Sequence, residues 1–139
     1  RVVAAAGDKY GEQVVGPLYT ELGTRFHNQQ ALRRLGELRD TVEDALAAAG
    51  LDPALADAMD STEYDEAVRA SHDRGINLVG QEVGTPVIRV GDNAFFGPVI
   101  TSIPRGEDAG RLWDGVLLVT GFDDFFELKR SRTRQPTFD

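Results

Sequence analysis

The chain predicts an α/β fold that is mostly helical as given. Three observations carry this. Apolar residues recur at helical spacing through most of the first 80 positions. A single β-branched run, Val87-Ile88-Arg89-Val90, turns at Gly91-Asp92-Asn93 and returns as Ala94-Phe95-Phe96. A last amphipathic segment follows Pro104.

Residues 1–10 are helix-prone, weakened by Gly7 and Gly11. Pro17 fits the first turn of a second helix, where its missing N–H is not needed. Leu18, Tyr19, Leu22 and Phe26 follow at helical spacing, with Asn28 as the stop. A third helix carries the stripe Leu35, Leu38, Val42, Ala45, Leu46 and Ala49, with Arg34, Glu37, Arg39, Asp40, Glu43 and Asp44 mostly off it. Gly50 suits the left-handed position after a helix end. Asp52-Pro53 opens a short helix through Met59, with Asp52 as N-cap and Pro53 at its first position. Asp60 and Glu63 resemble a capping box for a further helix. Its buried face would be Tyr64, Ala67, Val68, Ser71, Ile76 and Val79, with Gly75 weakening it. The period changes at Gly80, the hairpin follows, and Gly97-Pro98 ends it. The helix after Pro104 has Glu107 and Asp108 in its first turn, where the dipole favours acids. Ala109, Leu112, Trp113, Val116 and Leu117 are its apolar face. Gly121 breaks it. Phe122, Phe125, Phe126 and Leu128 are expected as a last helical turn packed on the body, and residues 129–139 as an extended tail.

A hairpin apolar on both faces reads as the interior of a covered sheet. Two strands alone are marginally stable, so further strands are expected beside them, from missing sequence or from a partner. The opening Arg1-Val2-Val3-Ala4-Ala5-Ala6 is helix-forming from its first residue and has no methionine, which points to a piece of a longer protein.

Composition narrows the function. The length suits an ordinary domain. With 41% hydrophobic and 27% charged residues the chain is globular rather than disordered. A net charge of −8 disfavours a phosphate backbone as partner, so no nucleic acid is expected. No apolar stretch approaches the ~20 residues that cross a bilayer, so no membrane partner is expected either. There are no cysteines, hence no disulfide and no thiolate ligand, and the two histidines, His27 and His72, are far apart. No metal site is expected. Neither a phosphate-binding glycine loop nor a Gly-x-Ser-x-Gly elbow is present.

Several segments carry a resemblance. Gly84-Thr85-Pro86 opens the β-branched run, and Phe95-Phe96-Gly97-Pro98-Val99 closes the hairpin. Pro17-Leu18-Tyr19, Arg25-Phe26-His27-Asn28-Gln29, Ile103-Pro104-Arg105-Gly106-Glu107 and Phe125-Phe126-Glu127-Leu128-Lys129-Arg130 accompany them. Together they resemble the actinobacterial DsbA-like enzymes that include the mycothiol-dependent nitroreductase, along nearly the whole chain. The resemblance implies a thioredoxin fold with an inserted helical domain. Residues 1–80 would be the helical insertion, and 81–139 the C-terminal half of the thioredoxin-like domain. It implies cytoplasmic, thiol-dependent reduction of small-molecule or disulfide substrates. Mycothiol or a similar low-molecular-weight thiol would be the reductant, and no cofactor would be bound. The family's Cys-Pro-Trp-Cys motif, at a helix N-terminus that lowers a thiol pKa, is absent here. No catalytic residue can therefore be assigned, and activity of this chain alone is not expected.

The resemblance marks Thr85 and Pro86 as residues of the substrate-facing loop, where a cis proline leaves backbone groups open to an extended partner. His27 and Asn28 either contact substrate or thiol, or simply cap a helix C-terminus. Phe96 and Trp113 either help line an apolar groove or belong to the core. Lys129, Arg130, Arg132 and Arg134 form the one basic cluster, a solvated tail or an anion-binding segment. A rival reading is a non-catalytic binding or assembly module whose hairpin pairs with a second copy as a homodimer. A generic helical adaptor is a third.

Overall fold

The computed structural model describes residues 1–29 and 35–137. Arg34, the side chain of Leu35 and the last two tail residues lie outside the described residues. The chain divides into two compact units, Arg1–Ser71 and His72–Asp139. The division falls within a helix, whereas the expected domain boundary at 80/81 lies in the loop after it. Among the described residues the architecture is mostly helical with one two-stranded antiparallel sheet. Among the described residues no helix is long and apolar enough to cross a membrane.

In the first unit, α1 (Val2–Tyr10), α2 (Val15–Gly23), a π-turn (Thr24–Asn28), α3 (Leu38–Ala48) and a 3₁₀ segment (Pro53–Met59) close on one core. Val2, Ala5 and Ala6 face it from α1, Leu18 from α2, and Val42, Ala45 and Leu46 from α3. Alanines let the helix backbones approach closely, and Leu18 and Leu46 fill the space left between them. The exit from α3 is a Schellman motif: Gly50 has φ +73°, its N–H donates to the Ala47 carbonyl, and Leu51 N–H donates to Leu46 at 2.9 Å. Leu51 thereby enters the core beside Leu46. Asp52 then caps the 3₁₀ segment, its carboxylate accepting from Ala54 N–H at 3.0 Å.

Ion pairs fasten the outside of this unit. Arg1 donates to Asp65 at 2.6 Å and to the Met59 carbonyl at 2.8 Å. Arg39 spans Asp57 at 2.9 Å and Asp60 at 2.6 Å. Lys9 reaches Asp52 at 3.2 Å. Such exposed pairs contribute little each, so burial dominates stability.

Three expectations are corrected here. Tyr19 is not on the buried face: it lies a full residue step, about 100°, from Leu18 and points to solvent. Asp60 and Glu63 form no capping box, because the Asp60 carboxylate is taken by Arg39 and Glu63 N–H donates instead to Ser61 Oγ at 3.1 Å. The next helix, α4 (Asp65–Ile76), starts two residues after Glu63, with Asp65 and Glu66 in its first turn. Of its expected buried face only Ile76 is buried; Tyr64 and Val79 are half-buried, and Ala67, Val68 and Ser71 are exposed.

In the second unit α4 ends in a turn in which Gly80, φ +95°, donates its N–H to the Ile76 carbonyl at 2.9 Å. The hairpin of β1 (Val87–Val90) and β2 (Asn93–Phe96) follows, then α5 (Gly106–Thr120). The expected α5 face, Ala109 to Leu117, is half-buried at best, and only Thr120 on this helix is buried. The expected closing helical turn is absent: Phe122, Phe126 and Leu128 are exposed, and Phe125 alone is half-buried, its ring 5.9 Å from that of Phe95. With Gly121 ending α5 and two acids, Asp123 and Asp124, following, this segment turns once and then runs extended.

Leu46→Ala removes a fully buried side chain from the alanine-lined core and should destabilise the first unit by about 3 kcal/mol, read as a lower urea midpoint at unchanged slope. The Arg1 hydrogen bond holds the Asp65 carboxyl below its ordinary range, and the Ala54 N–H followed by Lys9 does the same for Asp52. A depressed carboxylate pKa stabilises the fold above the unfolded pKa of about 3.9 and stops doing so as pH falls through the folded value. Melting temperature should therefore fall below about pH 4 in the native chain, and less steeply in Asp65→Asn.

Candidate functional site

The hairpin organises the residues marked by the sequence. Its two-residue turn has Gly91 at φ +62°, the left-handed conformation that such turns require at their first position. Asn93, expected in the turn, opens β2 instead. The register pairs Val87 with Phe96, Ile88 with Phe95, Arg89 with Ala94 and Val90 with Asn93. Gly97 N–H donates to the Pro86 carbonyl at 2.8 Å, extending the ladder by one step. Bonded and non-bonded pairs alternate in an antiparallel ladder, so the N–H and C=O groups of Val87 and Arg89 face the outer edge of β1.

The pleat then sorts the side chains. Ile88, Val90, Asn93 and Phe95 share one face, and Val87, Arg89, Ala94 and Phe96 the other. The first face is held down. Asn93 Nδ2 donates to the Thr120 carbonyl at 2.9 Å and to Asp123 Oδ1 at 3.1 Å, while Phe95 meets Phe125. Thr120 is buried and its Oγ1 donates back to Val116 at 2.9 Å, so the end of α5 is anchored on the start of β2.

At the opposite end of the hairpin lie Gly84, Thr85, Pro86, Phe96 and Gly97. The Thr85–Pro86 and Gly97–Pro98 peptide bonds are both cis. A side chain on Gly84 would begin 3.9 Å from the Phe96 ring. Gly97 is buried at φ +117°, a conformation open to glycine, with Val99 N 3.4 Å from where a Cβ would stand. Thr85 and Pro86 are exposed and Phe96 is partly so. The structure thus brings Thr85, Pro86 and Phe96 together. Trp113 is carried on a different element, half-exposed on α5, on the same helical face as Thr120 two turns later. His27 and Asn28 belong to the other unit, exposed at the end of the π-turn. The tail bearing Lys129, Arg130, Arg132 and Arg134 is extended and exposed, and Thr137 N–H donates to the Thr101 carbonyl at 2.8 Å.

Sequence reasoning missed two contributors. Asn93 looked like a turn residue, yet its side-chain amide joins hairpin to helix. Gly97-Pro98 looked like a strand terminator, yet it lies against the Thr85-Pro86 loop. A Phe-Gly-Pro step facing a Gly-Thr-Pro step across a short hairpin was the available signal.

The Thr85-Pro86 loop presents an open strand edge, an exposed threonine and an aromatic ring, and the chain contains no thiol. Residues 1–130 match the family described as mycothiol-dependent nitroreductase Rv2466c, or Rv2466c-like. The chain belongs to this family. The Rv2466c-like match contains every candidate site residue, His27, Asn28, Thr85, Pro86, Phe96 and Trp113. The chain is also 30% identical over 128 residues to the uncharacterized protein Rv2286c of Mycobacterium tuberculosis, which covers 91% of this chain and 50% of that protein. It thus spans about half the length of the curated relative it matches.

Asn93→Ala removes both hydrogen bonds between β2 and the end of α5. Hydrogen exchange at the β2 amides should accelerate about tenfold, corresponding to about 1–1.5 kcal/mol, while the α1 and α3 amides are unaffected.

Proposed function

We propose that this chain is the helical and substrate-holding part of a DsbA-like, thioredoxin-fold oxidoreductase that reduces disulfides or nitro compounds at the expense of mycothiol or a similar thiol. Residues 1–80 are the helical insertion and 81–139 the C-terminal thioredoxin half. The observation that carries this is the clustering of Thr85, Pro86 and Phe96 at one end of the hairpin within a chain of the Rv2466c-like family. Thr85 and Pro86 hold the substrate by the backbone groups that precede β1, a form of strand addition. Phe96 offers it an apolar surface. His27 and Asn28 supply hydrogen-bonding groups suited to a polar substrate or a hydrophilic thiol, and Trp113 offers apolar surface on α5.

The nucleophilic thiolate comes from cysteines outside these 139 residues, so this chain is inactive by itself and works in the cytoplasm, where thiols stay reduced. Oxidation of two thiols to one disulfide releases two electrons and two protons, the amount that converts a nitro group to a nitroso group and water. The chain's own residues bind and orient the substrate for that exchange.

The exposed apolar side chains of the second unit favour a second reading, a non-catalytic module whose hairpin pairs with another copy as a homodimer. Light scattering separates the two: a stably folded monomer argues against strand sharing.

The intact native protein should reduce a model disulfide or nitro compound with mycothiol as electron donor. Replacing its cysteines with serine should abolish turnover. Thiol-dependent turnover that survives this replacement would overturn the mechanism.

A further inference from the structure

The segment that follows α5 carries a charge that the thiol chemistry leaves unused. Lys129, Arg130, Arg132 and Arg134 fall close together, with Glu127 beside them, in a chain of net charge −8. All four are exposed, and among the described residues none of them lies in an ion pair. Elsewhere Arg1, Arg39 and Arg89 are held by Asp65, Asp57 and Asp92. A basic run on a free tail is ordinarily just solvated. This one is tethered at both ends.

Two contacts lay its start along β2. Asp123 Oδ1 accepts from Asn93 Nδ2 at 3.1 Å, and the Phe125 ring lies 5.9 Å from that of Phe95. The segment therefore heads along β2 toward Gly97–Pro98. Its far end is fixed beyond that step. Thr137 N–H donates to the Thr101 carbonyl at 2.8 Å, and Thr137 Oγ1 donates to the same oxygen at 3.4 Å. The anchors Phe95 and Thr101 thus flank the Gly97–Pro98 bond, and Gly97 N–H is itself bonded to the Pro86 carbonyl at 2.8 Å. Residues 126–136 are strung between these anchors, and all four cations lie on them. The fold of this unit returns the basic run to the end of the hairpin at which Thr85, Pro86 and Phe96 meet.

We propose that Lys129, Arg130, Arg132 and Arg134 form a cationic rim to the Thr85-Pro86 loop and select an anionic substrate, a small disulfide bearing carboxylates. This rests on the disulfide-reducing reading above and deepens it to a substrate class. A guanidinium offers a carboxylate two parallel, charge-assisted hydrogen bonds, and Lys129 adds a compact point charge. Exposed Glu82, just before the loop, and Glu127 oppose an anion at this end, and the four cations outnumber them. The acidic surface elsewhere repels an anion, so the rim is also where one is steered. The loop's backbone groups hold an extended substrate whatever its charge. The rim supplies the distinction.

The test uses the intact native protein and two disulfides with matched ethylene arms, the dianion 3,3′-dithiodipropionate and the neutral bis(2-hydroxyethyl) disulfide. Dissociation constants are measured by NMR titration with the protein's cysteines replaced by serine, and KM values under mycothiol-dependent turnover. Combining Lys129→Gln, Arg130→Gln, Arg132→Gln and Arg134→Gln should weaken binding of the dianion and raise its KM about five- to tenfold, with kcat little changed. An unchanged melting temperature checks that the fold is kept. Values for the neutral disulfide and the KM for mycothiol should not move. Replacing the three arginines with lysine should keep both dianion values within about threefold, because the charge is retained. Raising NaCl from about 50 to about 500 mM should weaken dianion binding severalfold in the native sequence and leave the glutamine variant unaffected. The proposal is overturned if the native protein does not bind the dianion more tightly than the neutral disulfide, if the glutamine variant shifts both disulfides equally or neither, or if salt has no effect. If the binding pattern holds but no thiol-dependent turnover exists, the anion site stands and the oxidoreductase reading fails.

Discussion

A two-stranded sheet must do something with two faces and two edges, and this constraint organises the second unit. One face of the hairpin is settled by Asn93 on the end of α5 and by Phe95 against Phe125. The other face, with Val87, Ala94 and Phe96, is only partly covered, and Val87 and Arg89 direct backbone groups to an open edge. The first unit has no such problem. Its helices close on a core of alanines and leucines, Asp52 caps the 3₁₀ segment, and Arg39 pairs with Asp60. The contrast is thermodynamic as much as geometric. A body with Trp113, Leu118, Phe122 and Phe126 exposed forgoes most of the burial that would offset its ordering entropy.

That same incompleteness leaves the Thr85-Pro86 loop open. The ladder stops at the Pro86 carbonyl, which accepts the Gly97 N–H, because proline has no N–H to return. The residues before it are therefore free of the hairpin's own pairing. Gly84 keeps the approach low, and Phe96 stands beside it. Asn93 at the other end fixes the hairpin on α5, so a substrate held by the loop would be held against a supported strand.

Much of the helical order was legible in the sequence because it depends on local rules. Gly50 after an amphipathic stripe, and Asp52-Pro53 before a short helix, each specify a terminus through backbone chemistry within a few residues. The hairpin was legible for the same reason, apart from the placing of Asn93. What failed was tertiary in origin. The Asp60 and Glu63 pattern satisfied the spacing of a capping box, but Arg39, distant in sequence, claimed the Asp60 carboxylate. The faces of α4 and α5 had the right period but not the cover that period implies, since spacing specifies which side is apolar and not what lies against it. The phenylalanines after Gly121 looked helical by spacing alone, yet Asp123 is engaged by Asn93 and the chain continues extended. Among the site residues, the grouping of Thr85, Pro86 and Phe96 followed from the hairpin register. The exposure of Tyr19 did not, because an aromatic at helical spacing reads as core.

The proposed thioredoxin half makes the open edge of β1 an internal feature of a larger sheet, with the Thr85-Pro86 loop at its end. Hydrogen exchange at the Val87 and Arg89 amides in the intact native protein tests this most directly. The account predicts protection comparable to that of Ile88 and Val90, whose N–H groups are paired within the hairpin. Exchange of Val87 and Arg89 at the rate of an unpaired strand edge, alongside protected Ile88 and Val90, would contradict it.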